Sequence, residues 1–215
     1  MRQLDLAHRP ELAELAIADP SDRWRELGFD VDADGLLDVG GVRIRLGTEG
    51  RGIVSWSLRR LRPLGVDATI DGLATSTSRT LRPPPFRTHP NGVTGVDQLV
   101  VLSSDFDRTA AAFAGVGMEL SRTLEHPERG RLGFRRIGPA VLELVQPPAN
   151  GAPSGAATRF WGIAFVVISL EQLTERLGTE RIDEIRPALQ AGRRIATLAG
   201  SAGLSTRVAF LSPEP

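Results

Sequence analysis

The 215-residue chain contains no cysteine, no lysine and no tyrosine. Without cysteine there is no disulfide, no thiolate nucleophile and no sulfur ligand for a metal. All 26 basic residues are arginine, which removes Schiff-base chemistry and the phosphate-cradling lysine of a P-loop. The missing tyrosine removes a phenolic acid. No apolar run approaches the roughly 20 residues that a membrane-spanning helix needs. The opening "MRQLDLAHRPELAEL" lacks the apolar stretch of a secretory signal. Acidic and basic residues balance to a net charge of zero, whereas a nucleic-acid binder usually carries a basic excess or stripe. The nearest approach to one, "SLRRLRPLG" (57–65), reads as a solvated strand edge or loop. These absences predict a cytoplasmic globular protein, monomeric or homodimeric, with neither nucleic acid nor membrane as partner. Its chemistry has to come from Asp, Glu, three His, Ser, Thr, Arg or a bound ion.

What is present is repetition. From Gly92 the chain reads strand "GVDQLVVLS", helix "DFDRTAAAFAGVG", then strands "ELSRTLEH", "GRLGFRRIG" and "AVLELVQPP". After "ANGAPSGAATR", rich in Gly, Ala, Ser and Pro and so a linker, a second copy begins. Strand "FWGIAFVVIS" leads to helix "LEQLTERLG", a weakly patterned "TERIDEIRPALQAGR", and strands "RIATLAG" and "TRVAFLSP". The N-terminal third repeats the theme in reduced form, and "DVGGVRIRLG" (38–47) aligns with "RIGPAVLELV" (136–145), placing Arg45 where Glu143 falls. A partial fourth unit starts at "GIVSWSLRRL" (52–61), with no helix after it. The Pro triplet in "TSTSRTLRPPPFRTHPNG" (75–92) cannot continue a helix or a sheet interior. The predicted organisation is a degenerate βαβββ-like lobe over 1–74, a Pro-rich linker over 75–91 and a paired βαβββ domain over 92–215.

Repeated βαβββ units whose first strand opens on "GVDQLVVLSSDFD" resemble the vicinal oxygen chelate superfamily, which includes glyoxalase I, extradiol dioxygenases and bleomycin-resistance proteins. The resemblance implies an α+β fold of tandem modules, with curled mixed sheets, helices on the convex side and a ligand in the concave cup. Strand alternation then assigns the faces. Leu99, Val101, Leu142, Leu144, Ile163, Phe165, Val208 and Phe210 are expected against the helices. Gln98, Val100, Val141, Glu143, Val145, Gly162, Ala164, Arg207, Ala209 and Leu211 are expected in the cup.

Enzymes of that superfamily hold a divalent ion with four cup-facing ligands. The resemblance maps these positions onto Gln98, Glu143, Gly162 and Ala209, and the last two carry no donor atom. Zinc and iron sites usually take three or four protein ligands, so no metal and no cofactor is expected. The three histidines are scattered: His8 near the terminus, His89 in the linker and His126 in a turn. All three are expected to be exposed loop residues, with His126 able to overhang the cup mouth. Glu143 becomes the odd residue, a carboxylate facing an apolar cavity. It is expected to bind ligand, to act as a general base, or to pair with an arginine of "GFRRIG". The expected ligand-binding set is Gln98, Val100, His126, Val141, Glu143, Gly162, Arg194 and Ala209. Two functions stay open. One is a metal-free small-molecule binder or sequestration protein of bleomycin-resistance type. The other is a lyase, isomerase or dioxygenase-like enzyme that uses Glu143 as base or holds a divalent ion atypically.

Overall fold

The computed structural model describes residues 9–61, 68–148 and 155–214. Two mixed sheets organise the chain. The first contains β1 (Glu11–Ile17), β2 (Leu36–Val39), β3 (Val42–Arg45), β4 (Ile53–Arg59), β5 (Thr69–Ile70) and β6 (Leu73–Thr77), in the order β2-β3-β1-β4-β6-β5. The second contains β7 (Val93–Leu102), β8 (Arg122–His126), β9 (Gly130–Ile137), β10 (Ala140–Gln146), β11 (Arg159–Val167), β12 (Arg186–Pro187), β13 (Arg194–Thr197) and β14 (Arg207–Leu211). Its order is β12-β13-β14-β11-β7-β10-β9-β8.

The six strands of the first sheet match the inner six of the second, β9-β10-β7-β11-β14-β13, with the same parallel or antiparallel sense at every step. The register matches too. Glu14 pairs with Arg43 as Gln98 pairs with Val141, so Arg45 and Glu143 hold equivalent places, two residues further along. Among the described residues, the first sheet lacks counterparts of the outer strands β8 and β12. The last of its strands in the chain runs to Thr77, two residues past the expected start of the linker.

Helices α1 (Ser21–Glu26), α2 (Phe106–Gly115) and α3 (Leu170–Leu177) follow the first strands of their units. Asp105 and Ser169 cap α2 and α3 by accepting from the backbone N–H of Arg108 and Gln172, at 3.0 and 3.2 Å. This satisfies amide groups that the first turn leaves without partners. Leu170, Leu173 and Leu177 form the buried stripe of α3, the spacing of a helix laid on a sheet. The strand positions expected against the helices are all buried in one core, which the two sheets share. Trp24 of α1 meets Phe165 of β11, and Trp56 of β4 meets Phe113 of α2 and Phe160 of β11. Each such aromatic contributes roughly 2–3 kcal/mol of burial.

Reciprocal turns hold the sheets together. Gly40 (φ 55°), in the β2–β3 turn, lies so close to β7 that a Cβ there would sit 2.6 Å from Gly95 Cα. Its equivalent, Gly138 (φ 74°) in the β9–β10 turn, presses on β1, where a Cβ would sit 2.9 Å from Glu11 Cβ. Polar ties reinforce this contact. Asp19 accepts from Ser205 N and Oγ, both at 2.6 Å, and from Thr206 N at 3.2 Å.

Two expectations about exposure change here. His89 is 1% exposed and works as a bracket. Its Nδ1 accepts from Asp30 N at 3.1 Å and its Nε2 lies 3.2 Å from the Asp38 carbonyl, which defines a neutral ring with the proton on Nε2. Burial holds its pKa below the ordinary value, against the raising effect of the bond to Asp38. Arg59, expected on a solvated edge, is buried and donates to the carbonyls of Leu12 and Gly41 at 2.9 and 2.8 Å. His8 lies outside the described residues.

Candidate functional site

The concave face of the eight-stranded sheet has its own small apolar cluster. Val100, Leu132 and Val145 are buried there, with Leu102, Leu124 and Phe134 packed around them, separate from the main core. Beside this floor is a cavity of about 560 Å³. Gln98 and Val100 of β7, Glu143 of β10, Gly162 and Ala164 of β11 and Ala209 of β14 line it, with His126 and Arg129 at the β8–β9 turn. Six of the eight residues in the expected ligand-binding set therefore come together.

The other two lie elsewhere. Val141 lines a second, open trough of about 1030 Å³, separated from the cavity by Leu189 and Gln190 of the β12–β13 loop, which border both spaces with Gln98. Arg193 pins that loop: its guanidinium donates to Asp97 on β7 at 2.8 Å and to the Ser212 carbonyl at 2.9 Å. Arg194 is away from the cavity. It pairs with Glu171 of α3 at 2.6 Å, because alternation along β13 turns it to the helix side when Ile195 and Thr197 face the cup.

Glu143 is 1% exposed. Its Oε1 accepts from Arg129 at 2.8 Å. The partner comes from the β8–β9 turn, not from "GFRRIG" on β9. Its position is set locally: His126 Nδ1 accepts from the backbone N–H of Glu128 and Arg129, both at 3.3 Å, in the tight turn that closes the β8–β9 hairpin. Oε2 has no hydrogen bond among the described residues. Burial pushes the carboxyl above its ordinary range, and Arg129 lowers it only in part.

Trp161 also lines the cavity. Phe160 pairs with Val101 and Gly162 with Val100, so Trp161 is an extra residue in β11, a β-bulge. Bulges re-aim side chains. Here the indole is 45% exposed and lines the cavity, whereas Phe160 packs on Trp56. No regular alternation signals this; the signal is the two adjacent aromatics in "FWG".

The four positions of the family's ion site can be tested directly. Gly162 pairs with Arg207, two residues before Ala209, as Gln98 pairs with Val141, two before Glu143, so the four are structurally equivalent in pairs. A Cβ at Gly162 would lie 2.6 Å from the Arg207 carbonyl oxygen, which leaves no room for a ligand side chain. Ala209 offers a methyl group, and one oxygen of Glu143 is taken by Arg129. Among the described residues, no group of three or more His, Asp or Glu stands where a metal ion could be held. The donor set does not fit the four-ligand ion.

No protein-family model matches the sequence, and no curated protein matches it. Solved structures do. A xylose isomerase-like TIM barrel/4-hydroxyphenylpyruvate dioxygenase fusion protein superposes with a TM-score of 0.64 at 13% identity, over 94% of this chain and 49% of that one. This chain spans about half of that fusion protein. A methylmalonyl-CoA epimerase from Mycobacterium tuberculosis aligns over 58% of this chain and 91% of its own, at 19% identity and a TM-score of 0.49. The likeness to the fusion protein shows a shared fold, and it is the fold expected from the resemblance: repeated modules whose strands form two mixed sheets. Among the described residues, no helix is long and apolar enough to cross a membrane.

Proposed function

We propose that this chain binds a small organic molecule in the cup of its eight-stranded sheet, without the divalent ion of the fold, as a metal-free binding or sequestration protein. The supporting observation is the combination of a formed cavity with a ligand position, Gly162, that the Arg207 backbone closes to any side chain. A cavity of about 560 Å³ lies within the range of small-molecule sites, and its wall mixes apolar residues with polar and charged ones. Gln98 and the Glu143–Arg129 pair supply polar anchors. The lobe before the Pro-rich segment is a scaffold in this reading. The protein works in the cytoplasm, as a monomer or homodimer, without nucleic acid or membrane.

The three tryptophans provide the test. Trp24 and Trp56 are buried and Trp161 faces the cavity. A metabolite and drug library, screened by intrinsic fluorescence, is expected to yield compounds that quench or shift Trp161 emission, and Trp161→Phe is expected to abolish the response. If no compound perturbs the emission, or if purified protein carries close to one equivalent of a transition metal that Glu143→Ala removes, the proposal fails.

A second reading rests on the raised pKa of Glu143, which suits proton abstraction from a bound carbon acid. Under it, Glu143→Gln would retain ligand and lose solvent deuterium exchange into it. Exchange that survives the substitution removes Glu143 as the base, and absence of exchange in the unsubstituted protein favours the binder.

A further inference from the structure

We infer that the cavity takes an aromatic carboxylate, its ring against Trp161 and its carboxylate on Arg207; this rests on the small-molecule reading above. The first observation is the bulge. An extra residue in β11 turns an indole outward beside the cavity, while the other two tryptophans are buried. An exposed indole is a flat apolar platform with a small entropy loss on ordering, and aromatic rings pair with it in stacked or edge-on geometry.

The second observation concerns charge. Glu143 is neutralised by Arg129, so the buried carboxylate does not call for a cationic ligand. Arg186 and Arg207 also line the cavity, and neither guanidinium has a hydrogen bond or ion pair among the described residues. The one other carboxylate on the lining, Glu128, is likewise unpaired, which leaves two free guanidinium groups facing one carboxylate. A guanidinium grips a carboxylate through two parallel N–H donors.

The third observation is placement. Arg207 pairs with Gly162, the residue after Trp161, so platform and cation sit side by side on adjacent strands. Between them and Gln98 the strands carry Gly162, Ala164 and Ala209, whose small side chains leave space for a flat ring. The side-chain amide of Gln98 makes no hydrogen bond among the described residues and offers both a donor and an acceptor to a ring substituent.

Calorimetric titration of the full chain with 2-naphthoate, 2-naphthamide and octanoate tests the assignment. The acid is expected to bind at least tenfold more tightly than either the neutral amide or the aliphatic acid. Trp161→Ala and Arg207→Gln are each expected to weaken naphthoate binding at least tenfold, Arg207→Lys to recover part of it, and Arg23→Gln, remote on α1, to leave it unchanged. Thermal melts of each variant confirm folding. Equal binding of acid and amide overturns the role of Arg207. Equal binding of naphthoate and octanoate overturns that of Trp161. If naphthoate fails to bind at millimolar concentration while library compounds still perturb Trp161 emission, the aromatic-acid assignment falls and the binding cavity stands. Silence in both experiments sinks both.

Discussion

Glu143 sits between two opposed effects. Removal from water disfavours its charge, and the Arg129 guanidinium at 2.8 Å favours it. Burial wins, so the folded-state pKa lies above the unfolded value of about 4.3. A raised carboxyl destabilises the fold as pH climbs from the unfolded value through the folded one, and has no such effect below both. Glu143→Gln is therefore expected to raise the melting temperature at neutral pH and to leave it unchanged near the acid end. Arg129→Gln acts the other way and strands a buried carboxylate. Its expected effect lies at the lower end of about 1–3 kcal/mol, since Arg129 is itself 38% exposed. Melts of the two single variants and the double variant against pH check both signs, and a loss of more than about 1 kcal/mol in Glu143→Gln would make the pair part of the scaffold. The sequence places Glu143 in the cup by alternation alone. It does not reveal Arg129, because the turn that carries it is held by His126 accepting two backbone N–H groups, which no periodicity encodes.

At the level of elements, legibility follows regularity. The buried stripes of β7, β10, β11 and β14 could be read because strict alternation determines the face. Three features escaped that rule. The two-residue β12 is too short for a pattern and exists by pairing with β13. The bulge at Trp161 breaks the alternation on which the reading depends. His89 is buried inside a Pro-rich stretch whose composition reads as linker. The β5–β6 turn is a fourth case. Asp71 there has a left-handed backbone (φ 48°) and reaches across to the second sheet. It accepts from Arg108 Nε at 2.7 Å, from Thr158 Oγ1 at 2.6 Å and from the Thr109 hydroxyl. Burial alone would raise its pKa, but these donors more than offset that and hold it below the usual carboxylate value. A lowered carboxyl stabilises the fold above the unfolded pKa of about 3.9, and that contribution disappears as pH falls through the folded value. Asp71→Asn keeps a residue that tolerates the left-handed turn and removes the charge. It is expected to cost about 1–3 kcal/mol at neutral pH, with the difference closing in acid. A deficit that persists unchanged at low pH would show that the turn itself, not the charge, was disturbed.

Across the whole molecule, the two sheets share one apolar core and are tied by Asp19, Asp71 and the two glycine turns. Calorimetry is expected to record one transition with equal calorimetric and van't Hoff enthalpies, the signature of a single cooperative unit. Two resolved endotherms would mean that the lobes melt independently. The kinship of the lobes was legible in the alignment of "DVGGVRIRLG" with "RIGPAVLELV", which matches one strand, a Gly turn and a second strand, but the full strand order of the smaller lobe was not. Their mutual packing was not, because it depends on close approaches at Gly40 and Gly138 that a one-dimensional pattern does not contain.

Those two turns have a further consequence. Gly40 bears on β7 as Gly138 bears on β1, so each half gives the other the same patch that it receives. This is the isologous contact of a twofold homodimer, written into one polypeptide. Such a contact closes on itself and leaves neither patch free to recruit another copy. Any self-association of this protein must therefore use surfaces outside this internal pseudo-dyad, beginning with the outer edges at β8 and β12, the strands without a counterpart among the described residues of the smaller half.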